Sequence, residues 1–430
     1  MSILSHRIRL YPCNKHKTLC SKSAGVGRFS YNWALDEWNK QYENGEKPNE
    51  ASLRKQLNSI KDKEFPWMYE VSKCCPQQSI RNLGTAFDRF FKGVSERPKF
   101  KKKGVHDSFY LDNLNFKIKG KQIYLAKIGW IRMSEEFRYE DAKLLSATIS
   151  READQWYVSI SCEVQDSPKQ PLLPFDDFAV GEDVGVRCYA DSNGDISEVP
   201  RSYRTYEKRL KRAQRSLSRK YESAKNAGKQ LKDCKNYQKQ KQKVAKLHQR
   251  ISNVRKDWLH KLTTDIVKNN QTIIIEDLNV KGMIKNRRLA KSIQDASFGE
   301  FRRQLEYKSV LCGRTLILAN RWYPSSKLCS SCHVKTKQKL GLHVRRWTCE
   351  HCGAEHDRDV NAAVNLKLDG LHYLASLRSG SSSESACGEF LSLVLFGKLN
   401  NTKTPRNPRK RKKQEENGIS QCVSTLCRNA

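Results

Sequence analysis

The chain has 430 residues, of which 81 are lysine or arginine and 46 are aspartate or glutamate, giving a formal net charge of +35. So large an excess is costly in self-repulsion unless a polyanion shares the surface, which favours nucleic acid over a membrane surface as the partner. No stretch approaches the roughly 20 apolar residues that a membrane span requires, and the N-terminal segment lacks the apolar region of a signal peptide. We therefore expect a cytoplasmic, nucleoid-associated protein, or a nuclear one if the host has a nucleus.

The N-terminal part of the chain predicts a small β-barrel that is interrupted by helices. Residues 115–133 predict a hairpin that turns at Lys119 and Gly120, and residues 144–164 predict two more strands from their alternating apolar side chains. We expect three segments here: the first barrel strand (1–14), a helical insertion (15–98) and the remainder of the barrel (99–178).

Within the helical insertion, residues 77–93 predict a helix that Pro76 can start and Gly93 can end. Five apolar side chains share one face of this helix, and we expect them to be core residues rather than platforms for stacked bases: Ile80, Leu83, Phe87, Phe90 and Phe91. The chain has no phosphate-binding loop with a Gly-Lys-Ser/Thr element, which disfavours nucleotide hydrolysis.

The first candidate metal ligand is Asp183, inside a predicted strand that runs from Ala179 to Ala190. A turn at Asn193 and Gly194 and a second strand follow it. A carboxylate inside an apolar strand is unfavourable unless it meets a cation, so we expect Asp183 to bind one.

Residues 200–262 predict a basic helical hairpin that is broken near residues 226–228. They contain 21 lysines and arginines but only four acids, and so large a surplus of one sign favours a nucleic-acid backbone as the ligand over a merely solvated surface. Apolar residues repeat at helical spacing in the second helix, opposite Leu210 and Leu217 of the first: Val244, Leu247, Ile251, Val254 and Trp258. The candidate nucleic-acid contacts are Arg204, Arg212, Arg215 and Arg219 here, and Lys101, Lys102 and Lys103 nearer the N-terminus.

Two further acids follow in the chain. The run Ile273 to Ile275 predicts a buried strand that delivers Glu276 at its tip, and the motif HDRDVNAA predicts an acid at the start of a helix. Strand acid, strand acid and helix acid in this order are typical of an RNase H-like nuclease core, whose carboxylates hold two Mg²⁺ ions about 3.5–4 Å apart. The alternative is that each acid is a helix cap or a surface charge.

Four cysteines, Cys329, Cys332, Cys349 and Cys352, have the spacing of a four-cysteine zinc ribbon. Each Cys-x2-Cys turn directs two thiolates to one point, and a closed tetrahedron leaves no open position, so we expect this zinc to be structural. Fifteen cysteines in a long chain without a secretion signal are expected to be reduced. Four histidines lie close enough in sequence to replace a ligand: His333, His343, His351 and His356.

The motif HDRDVNAA offers two aspartates, Asp357 and Asp359, which would point about 200° apart on a helix. Ala362 and Ala363 share the face of Asp359, and their small side chains let that face lie close to a sheet. We therefore predict that Asp359 is the metal ligand and that Asp357 is the helix N-cap. The roles would reverse if the helix began later.

Together these elements predict a multidomain α/β protein with an RNase H-like core. The expected segments of its C-terminal part are the core at 179–324 with the basic hairpin 200–262, the zinc ribbon at 325–355, the third-acid helix at 356–370 and a disordered basic tail at 371–430.

Several motifs resemble the RuvC nuclease and zinc-ribbon motifs of TnpB, the transposon-encoded relative of type V CRISPR effectors. They read GEDVGV, IIIEDLNVKGMIKNRRLAKSI, SFGEFRRQLEYK, WYPSSKLCSSC and RRWTCEHCGAEHDRDVNAAVNL. The N-terminal segments RIRLYP, RFSYNWALDEW and PKFKKKG extend the match, which covers most of residues 1–368. Glu182 stands where the family usually has an apolar residue and His333 where it often has glycine, and neither departure removes a ligand.

The resemblance implies a protein that binds a guide RNA made from its own transposon end, finds matching double-stranded DNA beside a short motif and cuts it. It implies that Asp183, Glu276 and Asp359 are the catalytic ligands of Mg²⁺ or Mn²⁺, in a RuvC-like endonuclease. It also implies that the barrel and its helical insertion are wedge and recognition domains. Two alternatives stay open: a strand-transfer transposase with an RNase H-like site, and a catalytically inactive nucleic-acid-binding regulator of transposition.

Overall fold

The computed structural model describes residues 2–378 other than 140, 166–177, 339 and 342–343, with the backbone alone at 377–378 and 392–394. Helices and strands both occur along the chain, which confirms the expected mixed α/β content. Within these residues, no helix combines the length and the apolar character that crossing a membrane would need.

The N-terminal part forms a seven-stranded antiparallel sheet packed against helices. Its strands are β1 (Ser2–Tyr11), β2 (Ser108–Asp112), β3 (Phe116–Lys119), β4 (Gln122–Leu125), β5 (Gly129–Met133), β6 (Lys143–Glu152) and β7 (Gln155–Val164). The hydrogen-bonded order is β2-β6-β7-β1-β5-β4-β3. A single 3-10 turn at 113–115 joins the edge strands β2 and β3, so the two edges meet at that end, as a barrel would need.

Three helices, α1 (Asn14–Glu43), α2 (Glu50–Glu64) and α3 (Cys74–Phe91), fill the segment predicted to be helical. Helix α3 buries Ile80, Leu83 and Phe87 as predicted. The prediction was wrong for Phe91, whose side chain is 61% exposed. Trp38 of α1 stacks on Phe87 at 4.2 Å between ring centroids, and Phe91 lies one turn further along, with Phe87 on one side and solvent on the other.

The C-terminal part contains a second sheet and a small separate hairpin. Its strands are β8 (Ala179–Val184), β9 (Cys188–Asp191), β10 (Ile196–Glu198), β11 (Thr272–Glu276), β12 (Thr315–Ala319), β13 (Arg346–Thr348), β14 (Glu355–Asp357) and β15 (Ser392–Val394). The sheet has the order β10-β9-β8-β11-β12-β15, in which β8, β11 and β12 are parallel and the other pairings are antiparallel. Strands β13 and β14 pair with each other.

The single strand predicted from Ala179 to Ala190 is wrong, because the structure divides it into β8 and β9. The Gly185 amide donates to the Cys188 carbonyl at 3.0 Å and closes a tight turn between the two strands. A Cβ on Gly185 would lie 2.7 Å from the same carbonyl oxygen, so the turn depends on the missing side chain. The folded-back strand β9 pairs with β8 on one side and with the edge strand β10 on the other.

Helices α4 (Ser202–Asn226) and α5 (Lys235–Asn269) form the predicted basic hairpin, with a break at the predicted place. Leu210 packs with Val244, Leu247 and Ile251, which confirms that part of the apolar seam. The seam does not continue as predicted: Val254 is 37% exposed and the Trp258 ring contacts Tyr189 at 5.3 Å. Beyond Ile251, helix α5 leaves α4 and packs on the second sheet instead.

The remaining helices are α6 (Val280–Met283), α7 (Ala290–Ala296), α8 (Phe298–Cys312) and α9 (Arg358–Arg378). Helix α9 continues eight residues past the predicted end of the third-acid helix at 370. Strand β15 pairs with β12 inside the segment predicted to be a disordered tail, so that prediction is wrong at 371–378 and 392–394. The rest of the predicted tail lies outside the described residues.

Helix α9 lies directly on strand β8, at a contact where no side chain intervenes. A Cβ on Gly181 would overlap the Ala363 carbonyl oxygen and would lie 2.7 Å from the Lys367 amide nitrogen. Ala362 and Ala363 are fully buried, which confirms the prediction that small residues bring this helix close to the sheet.

We expect Gly181→Ala to lower the free energy of unfolding by at least about 1–3 kcal/mol, since an added methyl group must push the helix off the strand. Gly299→Ala is the matched control, because a Cβ on this glycine of α8 meets nothing within 4 Å. Removing a helical glycine there should leave stability equal or raise it by up to about 1 kcal/mol. Thermal and urea unfolding measure both variants, and equal midpoints would contradict the close contact.

Candidate metal centres and nucleic-acid surface

Three carboxylates from different elements converge at one end of the second sheet. Ile275 is paired with Glu182 in the β8–β11 register, so the next residues, Asp183 and Glu276, are neighbours on parallel strands about 4.8 Å apart. Asp359 lies in the first turn of α9. The contact between Gly181 and Ala363 fixes where Asp359 lies relative to Asp183. Asp183 is two residues along the strand from Gly181, and Asp359 is one helical turn before Ala363. Each of these two separations along the chain is about 6 Å.

The electrostatics of the cluster are those of like charges held together. Burial raises the pKa of Asp183 well above its ordinary value, and the carboxylates of Glu276 and Asp359 raise it further. Burial also raises the pKa of Glu276, although the Ser325 hydroxyl donates to its Oε1 at 3.0 Å. Among the described residues, Arg345 is the cation in direct contact with the cluster, through an ion pair with Asp359. Converging carboxylates with so little compensating charge fit a divalent cation.

Asp357 is the N-cap of helix α9, as predicted. Its Oδ1 accepts hydrogen bonds from the amides of Asp359 at 3.0 Å and Val360 at 3.2 Å. Because this carboxylate is engaged by the backbone, Asp359 is the aspartate of the pair that is left to face the other two acids. Its role as a metal ligand stays a prediction.

Asp277 follows Glu276 directly but serves a different purpose. Its carboxylate forms ion pairs with Arg302 of α8 and with Arg321, which begins the turn after β12. This clamp fixes the loop after β11 and leaves Glu276 alone to enter the cluster.

Sequence reasoning missed three neighbours of the acids: Ser325, Arg345 and Cys188. The Cys188 thiol lies 3.6 Å from the Asp359 carboxylate. Strand β9 brings it there, and that strand was not distinguished from β8 in the sequence. The basic doublet before Trp347 was a signal for Arg345, but Ser325 sits in a turn with no pattern of its own.

Glu182 points to the opposite face of the sheet from Asp183, since successive side chains alternate along a strand. It is only 3% exposed, its carboxylate has no hydrogen-bond partner among the described residues, and burial raises its pKa well above the ordinary value. It lines a cavity of about 410 Å³ together with three other acids: Asp191, Asp195 and Asp265. Glu182 therefore does not join the acid cluster of Asp183, Glu276 and Asp359.

The four predicted zinc ligands come together, and their sulfur atoms all lie within 4.8 Å of one another. The Cys329–Cys352 and Cys332–Cys349 sulfur pairs are 3.6 and 3.7 Å apart, close to the roughly 3.8 Å expected for thiolates around one zinc. Backbone amides of Cys352 and His351 bonded to the sulfur lower the pKa of Cys349 to about 6, whereas burial and the neighbouring thiols raise the pKa of Cys332. These residues fit zinc.

One of the alternative histidine ligands also reaches the cysteine cluster. His356 places its Nε2 3.1 Å from the Cys329 sulfur, while its ring lies 5.0 Å from Trp347. His343 lies outside the described residues. The four sulfurs complete a tetrahedral set without either histidine.

Two asparagines of α9 tie the ribbon to the helix that carries Asp359. The Ser330 amide donates to Asn361 Oδ1 at 2.9 Å, and Asn361 Nδ2 donates to the Leu328 carbonyl at 2.8 Å. Asn365 Nδ2 donates to the carbonyls of Ser325 and Leu328 at 2.8 and 2.7 Å. The cysteine site and the acid cluster are therefore linked by hydrogen bonds.

The basic hairpin presents its arginines to solvent. Arg212, Arg215 and Arg219 are exposed, and no described acid lies within ion-pair distance of them. Arg204 is exposed but donates to the Ser292 hydroxyl at 3.0 Å. Charges without partners on one surface are available for a polyanion.

Near the N-terminus, Lys101, Lys102 and Lys103 are all exposed, and the ammonium of Lys101 in addition contacts an aromatic ring. The Lys101 ammonium lies 3.9 Å from the centre of the Tyr31 ring, and desolvation lowers the pKa of Lys101. The hairpin also forms a cleft of about 330 Å³ that the sequence did not reveal, with lysines at Lys220, Lys239, Lys243 and Lys246.

Three family models match the chain. The family described as "Probable transposase" matches residues 159–287, the "Cas12f1-like, TNB domain" matches residues 298–366, and a "Helix-turn-helix domain" matches residues 1–47. The second match contains Asp359 and all four clustered cysteines.

Among curated proteins, a "Putative RNA-guided DNA endonuclease" of Streptomyces pristinaespiralis is 37% identical over 395 residues, covering 89% of this chain and 90% of the relative. "Putative RNA-guided DNA endonuclease InsQ" of Escherichia coli K12 is 32% identical over 388 residues, covering 86% and 92%. The "TnpB-like protein L79" of Acanthamoeba polyphaga mimivirus is 32% identical over 134 residues, covering 30% of this chain and 25% of the relative.

Among solved structures, the chain resembles the protein in "Cryo-EM structure of the Cas12f1-sgRNA-target DNA complex". The TM-score is 0.50 with 13% sequence identity, over 85% of this chain and 98% of the other. At that identity the likeness concerns the fold.

We expect freshly purified, reduced protein to contain one zinc per chain, which Cys349→Ser releases. Loss of the metal should lower the thermal midpoint, because the binding free energy of a structural zinc contributes directly to folding. Cys312→Ser is the matched control, since Cys312 is an exposed free cysteine outside the cluster. Elemental analysis and thermal unfolding of the three proteins check this, and a zinc-free wild type would contradict it.

Proposed function

The chain belongs to the TnpB family, and we propose that it is the RNA-guided DNA endonuclease of a transposon, with Asp183, Glu276 and Asp359 as its hydrolytic site. The observation that carries the proposal is the convergence of these three acids from two parallel strands and one helix. The curated relatives that span most of the chain, and are named for this activity, support it.

We propose further that the second sheet is an RNase H-like core of the RuvC type. The first five strands of the sheet have the order β10-β9-β8-β11-β12, and β9 is antiparallel to both of its neighbours. This order supports the assignment, as does the helix that presents the third acid. Asp183, Glu276 and Asp359 would hold Mg²⁺ or Mn²⁺, which would supply an activated water and stabilisation of the leaving oxygen.

The protein's own residues prepare the site in three ways. Ser325 holds one oxygen of Glu276, and Asp357 fixes the start of the helix that carries Asp359. Arg345, which is 42% exposed, neutralises Asp359 and is close enough to solvent to meet a phosphate. Asp277 keeps the loop after β11 in place through its two arginines.

The nucleic-acid partners are proposed to be a guide RNA from the transposon end and a double-stranded DNA target. In this proposal the N-terminal sheet (1–14 and 99–178) is the wedge domain and the helices of 15–98 form the recognition domain. The basic hairpin 200–262 adds a surface for a phosphate backbone. A DNA target would place the protein on the nucleoid.

We expect Asp183→Ala, Glu276→Ala and Asp359→Ala each to abolish cleavage of a guided DNA target and to leave RNA binding nearly intact. Removing a carboxylate removes a metal ligand but also lessens negative charge, so affinity for a polyanion does not fall. Gel-shift and cleavage assays on the same preparations measure both. Asp195→Asn, which changes an exposed acid in the turn between β9 and β10, is the control that should still cut.

The metal requirement is tested on the same substrate. Excess EDTA should stop cleavage, and Mg²⁺ or Mn²⁺ should restore it. Full activity in EDTA would contradict the metal mechanism, and products joined to a second DNA instead of free ends would favour strand transfer.

The two neighbouring aspartates give a sharper test. Asp357→Asn should retain much of its cleavage, because asparagine caps a helix nearly as well as aspartate. Asp359→Asn should lose cleavage, because a neutral amide is a poor Mg²⁺ ligand. A dead Asp357→Asn beside a live Asp359→Asn would reverse the assignment.

We expect replacement of Arg212, Arg215 and Arg219 by glutamine to weaken nucleic-acid binding and to flatten its salt dependence. Each lost phosphate contact should reduce the slope of log affinity against log salt by about 0.7–0.9. Binding titrations between low and moderate salt measure the slope. An unchanged slope would show that these charges face only water.

A further inference from the structure

A single tryptophan stands out on the surface beside the acid cluster. Trp322 is 86% exposed, the highest value among the large apolar side chains of the described residues. No described ring or cation packs on its indole. An isolated exposed tryptophan is not by itself evidence of a function. The evidence has to come from the residues that surround Trp322.

The turn that carries Trp322 is fixed on both sides of the indole. On one side, Arg321 donates to the Asp277 carbonyl at 3.1 Å and forms an ion pair with the Asp277 carboxylate. On the other side, the Tyr323 hydroxyl donates to the Asn365 carbonyl at 3.3 Å. The Trp322 amide donates to Asn320 Oδ1 at 2.8 Å within the turn. A turn whose backbone is already fixed loses little conformational freedom when a ligand binds to its side chain.

The same turn touches the acid cluster. Ser325, three residues after Trp322, donates to Glu276 at 3.0 Å, and Asp277, the partner of Arg321, directly follows Glu276. Three residues of chain span at most about 10 Å, so the Trp322 backbone lies within about that distance of Ser325. The exposed indole is therefore carried by a turn that lies within about 10 Å of Ser325, the residue that contacts the acid cluster.

From this geometry we propose that Trp322 is a base-stacking residue for the DNA strand at the acid cluster, which rests on the proposed nuclease function. The ligand is an unpaired nucleobase, because a base offers its face to a side chain only when it is unstacked from its neighbours. Exposed aromatic faces that hold single strands work in this way and tolerate any base. Stacking next to the cut would position the phosphate between Asp183, Glu276 and Asp359.

Photo-crosslinking tests the contact without requiring cleavage. The Asp183→Ala protein is assembled with its guide RNA and with target DNA that carries 5-iodouracil at single positions around the cut. We expect one or two adjacent positions to crosslink to Trp322, identified by mass spectrometry, and the crosslink to vanish when Trp322→Leu is added. Crosslinks that map only to other residues, or to the C-terminal tail, would overturn the inference.

Cleavage kinetics test whether this contact positions the DNA substrate. Trp322→Leu keeps an apolar side chain without an aromatic face, and we expect it to raise the target concentration for half-maximal cleavage by about 5- to 150-fold. Trp322→Phe should recover most of the loss. Since the side chain is exposed, the thermal midpoint of both variants should match the unaltered protein.

An abasic target separates stacking from a structural role. Removing the contacted base should weaken cleavage by the unaltered protein but should not weaken Trp322→Leu further. Trp130→Leu, a second exposed tryptophan on the first sheet, is the control that should keep the sensitivity of the unaltered protein to the missing base.

The outcomes distinguish the two proposals. If the unaltered protein does not cut a guided target, the proposed function fails, while the crosslink still reports on Trp322. If the unaltered protein cuts and Trp322→Leu cuts equally well at every target concentration, the stacking inference alone fails.

Discussion

The candidate active site depends on the direct contact between strand β8 and helix α9. Backbone meets backbone at Gly181 and Ala363, so the separation of helix and sheet is set by atoms that cannot rotate away. Asp183 and Asp359 are each about 6 Å from this contact, and their spacing follows from it. The parallel pairing of β11 with β8 places Glu276 beside Asp183.

Charge is distributed unevenly in this protein: acids gather at the candidate metal site, and basic residues gather on the helical hairpin. The chain has a net charge of +35, yet three carboxylates lie together at one end of the second sheet. Among the described residues, one arginine, Arg345, is in direct contact with them. Burial and mutual repulsion raise the pKa of Asp183, so the cluster is costly until a cation joins it. Almost half of the surplus positive charge, 21 basic residues less four acids out of a net +35, lies elsewhere, on the basic hairpin 200–262.

Local patterns predicted the elements that local physics determines. The cysteine spacing, the N-cap at Asp357, the break in the basic hairpin and the strand that ends at Glu276 could all be derived from neighbours in sequence. The errors arose where tertiary packing decides. Val254 continued a helical repeat, but its helix had already left its partner. Ser325 and Arg345 acquire their roles only when the turn after β12 and the ribbon meet the acids.

The asparagines that join the ribbon to α9 would couple the two proposed metal sites, which differ in chemical character. Zinc bound by the soft thiolates would stiffen the chain, and the hydrogen bonds of Asn361 and Asn365 would pass that stiffness to a site of hard oxygen ligands. Depletion of the first ion would reach the second site as a loosened helix, although none of the oxygen ligands had changed. The zinc supply of the cell would thus change how tightly the acid cluster binds magnesium.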